Sequence, residues 1–212
     1  MCRTWNGSDI NYGEIYEKNI KSVIKTGELY NDKYLSAAQK DGRGNICPVT
    51  IILPTLAAEV KQQMKPNWPK EPTIWTNGEV NELVENFMKL LDQKIHEAKD
   101  QLIERFEWIA NQNPESAKFM YENGTMVGFE KDEGIRSAVK HGTLAAGMIG
   151  MAETLQILIG CDQTKPEGLE LAKRICKLYK DRCAEFKHEY RLNFGVYYTP
   201  KHNRYCLWGL TQ

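Results

Sequence analysis

The sequence lacks the features that mark membrane-spanning, secreted and nucleic-acid-binding proteins. No apolar run approaches the roughly 20 residues that a membrane-spanning helix requires, and residues 1–7 contain no apolar stretch of the kind found in secretory signals. The 28 Lys and Arg residues are balanced by 28 Asp and Glu residues, so no basic surplus favours nucleic acid or an anionic membrane. We therefore expect a cytoplasmic protein that binds neither.

Cysteine pairs that could hold a structural metal are also missing. No two of the six cysteines are separated by just two residues, which is the spacing of many structural zinc sites. We therefore predict no metal site. A chain of 212 residues can bury an apolar core without disulfides. We predict reduced, buried thiols at these four positions: Cys47, Cys161, Cys176 and Cys183.

Two apolar segments with β-branched residues predict strands. The first, residues 46–53, is closed by Pro54 and is nearly continuous in its apolar character. Such a run is typical of a parallel strand that is covered on both faces. Because Pro48 has no amide hydrogen, we expect the hydrogen-bonded part to start after it. The second predicted strand covers residues 192–198.

Helices are predicted between these strands. Apolar residues recur at three- and four-residue steps over residues 79–111, behind a capping box formed by Thr76 and Glu79. A second capping box at residues 164–167 predicts the start of an amphipathic helix that continues to about Tyr190.

A third helix is predicted at residues 144–159, where the chain is apolar almost throughout. Glu153 is its only formal charge, so this helix must be buried on most sides. Gly147 and Gly150 each cost about 1 kcal/mol relative to alanine inside a helix, and the close approach of another backbone would explain them. A buried Glu153 must be paired or protonated. We favour a structural hydrogen bond for it over the role of a catalytic acid.

The alternation of strands and helices indicates an α/β layer fold. Two strands cannot close a sheet, and the large helices would expose their apolar faces unless further strands covered them. We therefore expect a helix-rich fragment of a larger α/β fold.

Several short motifs occur in an order and spacing that are specific together, although each is weak alone. They are Cys2-Arg3-Thr4, the segment from Gly42-Arg43-Gly44-Asn45 to Pro54, Lys140-His141-Gly142-Thr143, residues 147–155, and Asn193-Phe194-Gly195-Val196 with Thr199-Pro200. Through these motifs the chain resembles the anaerobic (class III) ribonucleoside-triphosphate reductases, a family of glycyl-radical enzymes.

The resemblance implies a fold, namely part of a ten-stranded α/β barrel of the glycyl-radical and ribonucleotide reductase type. Residues 1–200 would form the central part of the catalytic barrel. Within it, residues 1–45 would be the finger loop, and residues 46–200 would supply the strand and helices. Residues 201–212 do not match the family and would be a divergent C-terminal tail.

The resemblance also implies site residues. Cys2 falls at the position of the cysteine that becomes a thiyl radical in the family, and Asn45 matches an asparagine near the substrate. The turn that begins with Thr199 and Pro200 helps to hold substrate phosphate. The implied catalytic residues are Cys2 and Asn45, and the implied substrate-binding residues are His141, Gly142, Thr143, Thr199 and Pro200.

The implied activity is reduction of a ribonucleoside triphosphate to a 2′-deoxyribonucleotide by thiyl-radical chemistry. It implies a glycyl radical supplied by another segment, formate as reductant, a radical-SAM activating enzyme and a homodimer, with no cofactor bound by this fragment itself. The sequence contains no glycyl-radical segment of the Arg-Val-x-Gly-Tyr type. We therefore expect a chain that is inactive alone and whose partners include the missing reductase segments.

Simpler alternatives stay open. Cys2 could be an ordinary terminal thiol, and His141 could be a structural or helix-capping histidine. The whole chain could be a non-catalytic remnant or a helical interaction module.

Overall fold

The computed structural model describes residues 9–11, 44–66, 76–123, 125–126 and 128–198. Several predictions lie outside these described residues, namely those for Cys2, Thr199 and Pro200, for most of the finger loop, and for the tail at residues 201–212.

The described strands form a three-stranded parallel sheet in the order β1-β2-β3. The strands are β1 (Asn45–Ile52), β2 (Thr143–Ile149) and β3 (Asn193–Tyr198). This confirms the prediction of a helix-rich α/β fold and of a parallel strand after residue 45. The described residues do not form a ten-stranded barrel, so that part of the expectation stays a prediction.

Helices connect the strands along the chain. They are α1 (Leu53–Met64), α2 (Asn77–Ala110), a 3-10 helix (Pro114–Ala117), α3 (Lys118–Glu122), α4 (Arg136–Val139), α5 (Met151–Ile159) and α6 (Pro166–Tyr190). Among the described residues, no helix is both long and apolar enough to cross a membrane.

The long helix α2 matches its sequence signals closely. The Thr76 hydroxyl accepts a hydrogen bond from the Glu79 amide, and the Glu79 carboxylate accepts one from the Thr76 amide, which confirms the predicted capping box. Leu83, Phe87 and Leu91 are fully buried, as their three- and four-residue spacing predicted. The apolar face of α2 packs on β1 and on α1.

The prediction of one helix over residues 144–159 is wrong. The first half forms β2 and the second half forms α5, and between them Gly150 adopts a φ of 83°, which favours glycine. A continuous apolar run is compatible with a buried strand as well as with a buried helix.

Glu153 is exposed in the first turn of α5, where a carboxylate interacts favourably with the helix dipole. It therefore has neither of the buried roles considered for it.

Two predictions about element starts are also wrong. The Thr164 hydroxyl donates to the Asp162 carboxylate instead of capping α6, whose N-cap residue is Lys165.

Strand β1 begins at residue 45, before Pro48. The Pro48 carbonyl accepts a hydrogen bond from Arg105 Nη1 at 3.3 Å, so the backbone groups of this residue face away from β2. The missing amide hydrogen is therefore not needed for sheet pairing.

Sequence analysis missed helix α1, which follows β1 directly. Pro54 lies in the first turn of this helix, where a missing amide hydrogen leaves no hydrogen bond unmade.

The helices contact one face of the sheet. Leu144, Ala146 and Met148 of β2 belong to the hydrophobic core, and Ala145 and Gly147 point to the opposite face because side chains alternate along a strand. On that opposite face, Gly147 lies between Thr50 of β1 and Tyr197 of β3.

The cysteine predictions are confirmed at three of four positions. Cys47, Cys176 and Cys183 are free thiols buried in the core. Burial raises the pKa of the Cys47 thiol, although nearby Arg105 opposes that shift, and burial raises the pKa of Cys183 to about 12. Cys161 is free but only partly buried, because it lies in the loop after α5 and outside the core.

Candidate functional site

The amino-terminal edge of the sheet brings together several motifs that are distant in sequence. In the parallel register, Asn45 of β1 pairs with Thr143 of β2, and Thr143 pairs with Asn193 of β3. The Thr143 amide also donates to the Gly44 carbonyl at 2.9 Å. Asn45, the Lys140–Thr143 motif and Asn193 therefore lie in one row, although none is within 45 residues of the next in sequence.

A tight turn before β2 places His141 and Gly142 at this edge. The turn follows α4, and the His141 and Gly142 amides donate to the carbonyls of Ala138 and Val139. A Cβ at Gly142 would overlap the Ile46 side chain, so a larger residue here would require that side chain to move. The motif thus has a packing reason that its sequence alone does not reveal.

His141 is buried in a polar network at the amino-terminal edge. Its side chain is 2% exposed, and its Nδ1 lies 2.7 Å from Oδ2 of the fully buried Asp9 side chain. Asn193 Nδ2 donates to Asp9 Oδ1 at 2.8 Å, and the Asn11 amide donates to the same oxygen at 2.9 Å. Three donors thus converge on one carboxylate.

The hydrogen bonds determine the ionisation of Asp9. Burial by itself would raise the pKa of this carboxyl, but the hydrogen bonds from His141, Asn193 and the Asn11 amide outweigh burial and lower the pKa below its ordinary value. Asp9 is therefore a carboxylate at neutral pH. Because a carboxylate only accepts hydrogen bonds, the facing Nδ1 of His141 carries a proton.

The three residues from Asp9 to Asn11 attach to the sheet at several further points. Ile10 N donates to Asn193 Oδ1 at 2.9 Å. Asn11 Nδ2 donates to the Arg191 carbonyl at 3.0 Å and to the Lys140 carbonyl at 3.3 Å. We call residues 9–11, with the groups on His141 and Asn193 that bind them, the amino-edge anchor.

The structure does not unite all the predicted site residues. Asn45, His141, Gly142 and Thr143 share the amino-terminal edge, whereas β3 ends at Tyr198, five residues beyond Asn193. At a rise of about 3.3 Å per residue, these two ends of β3 are roughly 17 Å apart. Cys2, Thr199 and Pro200 lie outside the described residues, so their geometry relative to this edge stays a prediction.

Sequence analysis missed Asp9 and Asn11, and it gave Asn193 no role of its own. Asp9 lies in a polar segment without periodicity, and its side-chain partners His141 and Asn193 are more than 130 residues away. For Asn193 the signals were its position near the start of a predicted strand and its place in one of the motifs that carry the resemblance. Within the described part of the chain, no group of three or more His, Cys, Asp or Glu side chains could hold a metal ion.

Comparison with known proteins decides the family. The family model described as "Anaerobic ribonucleoside-triphosphate reductase" matches residues 2–203, which is nearly the whole chain. The chain belongs to this family. The family match includes all three strands, the amino-edge anchor and both motifs that lie outside the described residues.

Bacterial members of the reductase family align with the chain over a limited part of their own length. The anaerobic ribonucleoside-triphosphate reductases of Escherichia coli (strain K12), Salmonella typhimurium (strain LT2) and Haemophilus influenzae are each 25% identical to it over 178 residues. Each alignment covers 78% of this chain and 22% of the relative. The chain thus spans about a fifth of the length of these reductases.

Proposed function

We propose that this chain supplies the central part of the catalytic barrel of an anaerobic ribonucleoside-triphosphate reductase, which converts ribonucleoside triphosphates to 2′-deoxyribonucleotides. The observation that carries the proposal is the family match over residues 2–203. The parallel register adds support, because it aligns Asn45 with Thr143 and so brings two of the family motifs to one edge.

In the proposed reaction, Cys2 takes the hydrogen atom from ribose C3′. A thiyl radical on its sulfur becomes a thiol as the carbon–hydrogen bond breaks, and the hydrogen returns to carbon at the end of the cycle. Side-chain acid–base chemistry alone does not cleave such an unactivated bond, so radical chemistry is needed. The 2′-hydroxyl takes up a proton and leaves as water, and formate supplies two electrons and a proton for the new bond at C2′ as it is oxidised to carbon dioxide.

The remaining proposed roles concern binding. The Asn45 amide can donate to and accept from sugar hydroxyls without titrating. Thr199 and Pro200 follow β3, where backbone amides of a turn can donate to phosphate oxygens. Substrate contacts by His141, Gly142 and Thr143 would come from the amino-terminal edge of the sheet, where His141 Nδ1 is bonded to Asp9.

We further propose that the chain is inactive alone. Since it spans 22% of its relatives, other segments would supply the remaining strands of the barrel and the glycyl radical. A radical-SAM enzyme would generate that radical, and the assembled reductase would be a homodimer, as is usual in the family.

An anaerobic reconstitution assay tests the proposed function. The chain is incubated alone, and also with polypeptides that supply the missing reductase segments, a radical-SAM activating enzyme, formate and each ribonucleoside triphosphate. We expect deoxyribonucleotide only from the complete mixture, and none with Cys2→Ala. The control Cys161→Ala removes a partly exposed thiol outside the proposed site and should retain activity.

Two outcomes would contradict the proposed function. Product formation that persists in Cys2→Ala would remove the radical role from Cys2. Complete absence of product with a folded chain and complete partners would favour the non-catalytic alternative.

A further inference from the structure

The His141 ring is held on two sides by parts of the chain that are distant in sequence. On one side, its Nδ1 lies 2.7 Å from Oδ2 of Asp9, and the two side chains are 2% and 0% exposed. On the other side lies Gly128, which has a φ of 80°. A Cβ at Gly128 would lie 2.7 Å from Cδ2 of the ring and 2.8 Å from Nε2. The ring therefore has little space in which to turn.

The same carboxylate orients the side chain of Asn193. Asn193 Nδ2 donates to Asp9 Oδ1 at 2.8 Å, and Asn193 Oδ1 accepts from the Ile10 amide at 2.9 Å. These two bonds fix which end of the side-chain amide faces the turn before β2. In this orientation Nδ2 also donates to the carbonyls of His141 and Lys140, at 3.3 Å and 3.4 Å.

The bonded carbonyls belong to the turn that carries one of the family motifs. The Lys140 carbonyl also accepts from Asn11 Nδ2 at 3.3 Å. At the other end of the turn, the Thr143 amide donates to the Gly44 carbonyl at 2.9 Å. The turn is thus fixed at both ends, and Asp9 acts on it through the two side chains that it orients.

The donor pattern requires a carboxylate at position 9. The groups that donate to it are His141 Nδ1, Asn193 Nδ2 and the Asn11 amide. An asparagine there would keep the shape of the side chain, but its amide nitrogen would face one of these donors. A flip of the Asn193 amide would break its bond from Ile10, and a backbone amide cannot accept a hydrogen bond.

The His141 ring is therefore the group that would adapt to an asparagine at position 9. An imidazole nitrogen becomes an acceptor when its proton moves to the other ring nitrogen. The expected consequence of Asp9→Asn is a neutral ring with its proton on Nε2 in place of Nδ1. A carboxylate that holds a histidine in one tautomer has the same role in the serine protease triad.

We propose that Asp9 is a positioning residue that keeps a proton on His141 Nδ1 and thereby holds the turn from Lys140 to Thr143 in the geometry that binds substrate. The link from this turn to substrate rests on the function proposed above, whereas the link from Asp9 to the ring does not. In this assignment Asp9 acts through His141 and Asn193 and does not itself contact the ribonucleotide.

Nitrogen NMR on the full chain tests the link from Asp9 to the ring. The four histidines are labelled with the heavy nitrogen isotope, and the chemical shift of each ring nitrogen shows whether it carries a proton. His141→Gln identifies the His141 signals. At mildly alkaline pH, where a neutral ring carries one proton, we expect that proton on Nδ1 in the unsubstituted chain. It should exchange slowly with water, because the side chain is 2% exposed.

In Asp9→Asn we expect the Nδ1 proton of His141 to be lost and an Nε2 proton to replace it. Amide hydrogen exchange at Gly142 and Thr143 should accelerate about tenfold, whereas exchange within α2 should not change. The matched control Asp181→Asn, in an exposed ion pair with Lys177 on α6, should alter neither the tautomer nor the exchange rates.

Two results of the NMR experiment would overturn the proposal. One is a neutral His141 ring without a proton on Nδ1 in the unsubstituted chain, which needs no variant and so does not depend on whether Asp9→Asn folds. The other is a proton that stays on Nδ1 of the neutral ring in folded Asp9→Asn.

The reconstitution assay tests the link from the turn to substrate. We expect Asp9→Asn to raise the KM for the ribonucleoside triphosphate at least about tenfold, the effect of losing one hydrogen bond to a charged group. The kcat should change little, because the turn is proposed to bind substrate and not to react with it. A KM unchanged by Asp9→Asn would overturn this link and leave the reductase function intact. The expected tautomer change, without any deoxyribonucleotide from the unsubstituted chain, would support the action of Asp9 on the ring and contradict the reductase function.

Discussion

Thr50 and Tyr197, which lie on the two outer strands of the described sheet, both pack against Gly147 on the strand between them. A Cβ at Gly147 would lie 2.5 Å from Tyr197 Cδ1 and 2.8 Å from Thr50 Oγ1. The central strand therefore has a glycine here because two neighbouring side chains occupy the space that any larger residue would need.

We expect Gly147→Ala to lower the free energy of unfolding by about 1–3 kcal/mol, because the added methyl group overpacks this site. Urea denaturation followed by circular dichroism measures the change. Gly78→Ala is the matched control, since the nearest atom to its Cβ is Thr76 Oγ1 at 4.0 Å and the residue lies in the first turn of α2. That control should be neutral or stabilising by up to about 1 kcal/mol. Equal effects of the two substitutions would contradict the packing argument.

The segment around Gly147 shows why part of the fold could not be predicted from the sequence. The apolar run at residues 144–159 satisfies a buried helix and a buried strand equally well. The positive φ of Gly150 and the pairing of β2 with two other strands decide the outcome, and the pairing involves partners about 50 to 100 residues away. By contrast, α2 was predictable because its capping box and apolar periodicity are local.

The capping carboxylate of α2 should titrate at unusually low pH. The Lys65 ammonium, 2.6 Å from Glu79, and the bonds from Thr76 lower the pKa of Glu79 to about 2. The contribution of this carboxylate to stability is therefore complete above its ordinary pKa of about 4.3, and it is lost as the pH falls through about 2. Titration of the Glu79 carboxyl carbon by NMR measures this pKa directly.

Lys65→Gln should raise the pKa of Glu79 towards about 4.3, because it removes the largest cause of the shift. Lys94→Gln is the control, since Lys94 pairs with Glu97 further along the same helix. An ordinary pKa for Glu79 in the unsubstituted chain would refute this account of the cap.

The candidate site was predictable only in part. Asn45, His141 and Thr143 belong to recognisable motifs, but only the parallel register shows that these motifs meet at one edge of the sheet. Asp9 carries no such signal, because its partner His141 is 132 residues away and no periodicity relates the two. A buried carboxylate in an irregular polar segment can be identified only from the folded structure.

The described cysteines should differ sharply in their reactivity. We expect an alkylating reagent to modify Cys161 at least about tenfold faster than Cys183, because the thiolate is the reactive form. Cys183 is buried, with a pKa raised to about 12, whereas Cys161 is partly exposed. Peptide mass spectrometry after iodoacetamide treatment measures each rate. In denaturant both residues should react alike, and similar rates in the native protein would show that Cys183 is not buried.

Two ion pairs between α2 and α6 should differ in strength. Arg182 donates two hydrogen bonds to Asp92, at 2.6 Å and 2.9 Å, and both side chains are about 30% exposed. Arg174 donates one bond to Glu85, and those side chains are 50% and 57% exposed. Because exposure to water and loss of side-chain freedom offset the attraction, we expect a coupling of about 0.5–1 kcal/mol for the first pair and close to zero for the second.

Double-mutant cycles with alanine at each pair measure these couplings from urea denaturation. The coupling of Arg182 with Asp92 should weaken at about 1 M salt, where the Debye length falls to roughly 3 Å. It should also weaken in acid, where Asp92 becomes protonated and loses its charge. The bond from Arg182 lowers the pKa of Asp92, so this loss occurs below the ordinary pKa of an aspartate. A carboxylate with a lowered pKa stabilises the fold above its ordinary pKa and loses that contribution as the pH falls through its folded value. A larger coupling for Arg174 with Glu85 would show that the two-bond geometry and partial burial do not determine the strength.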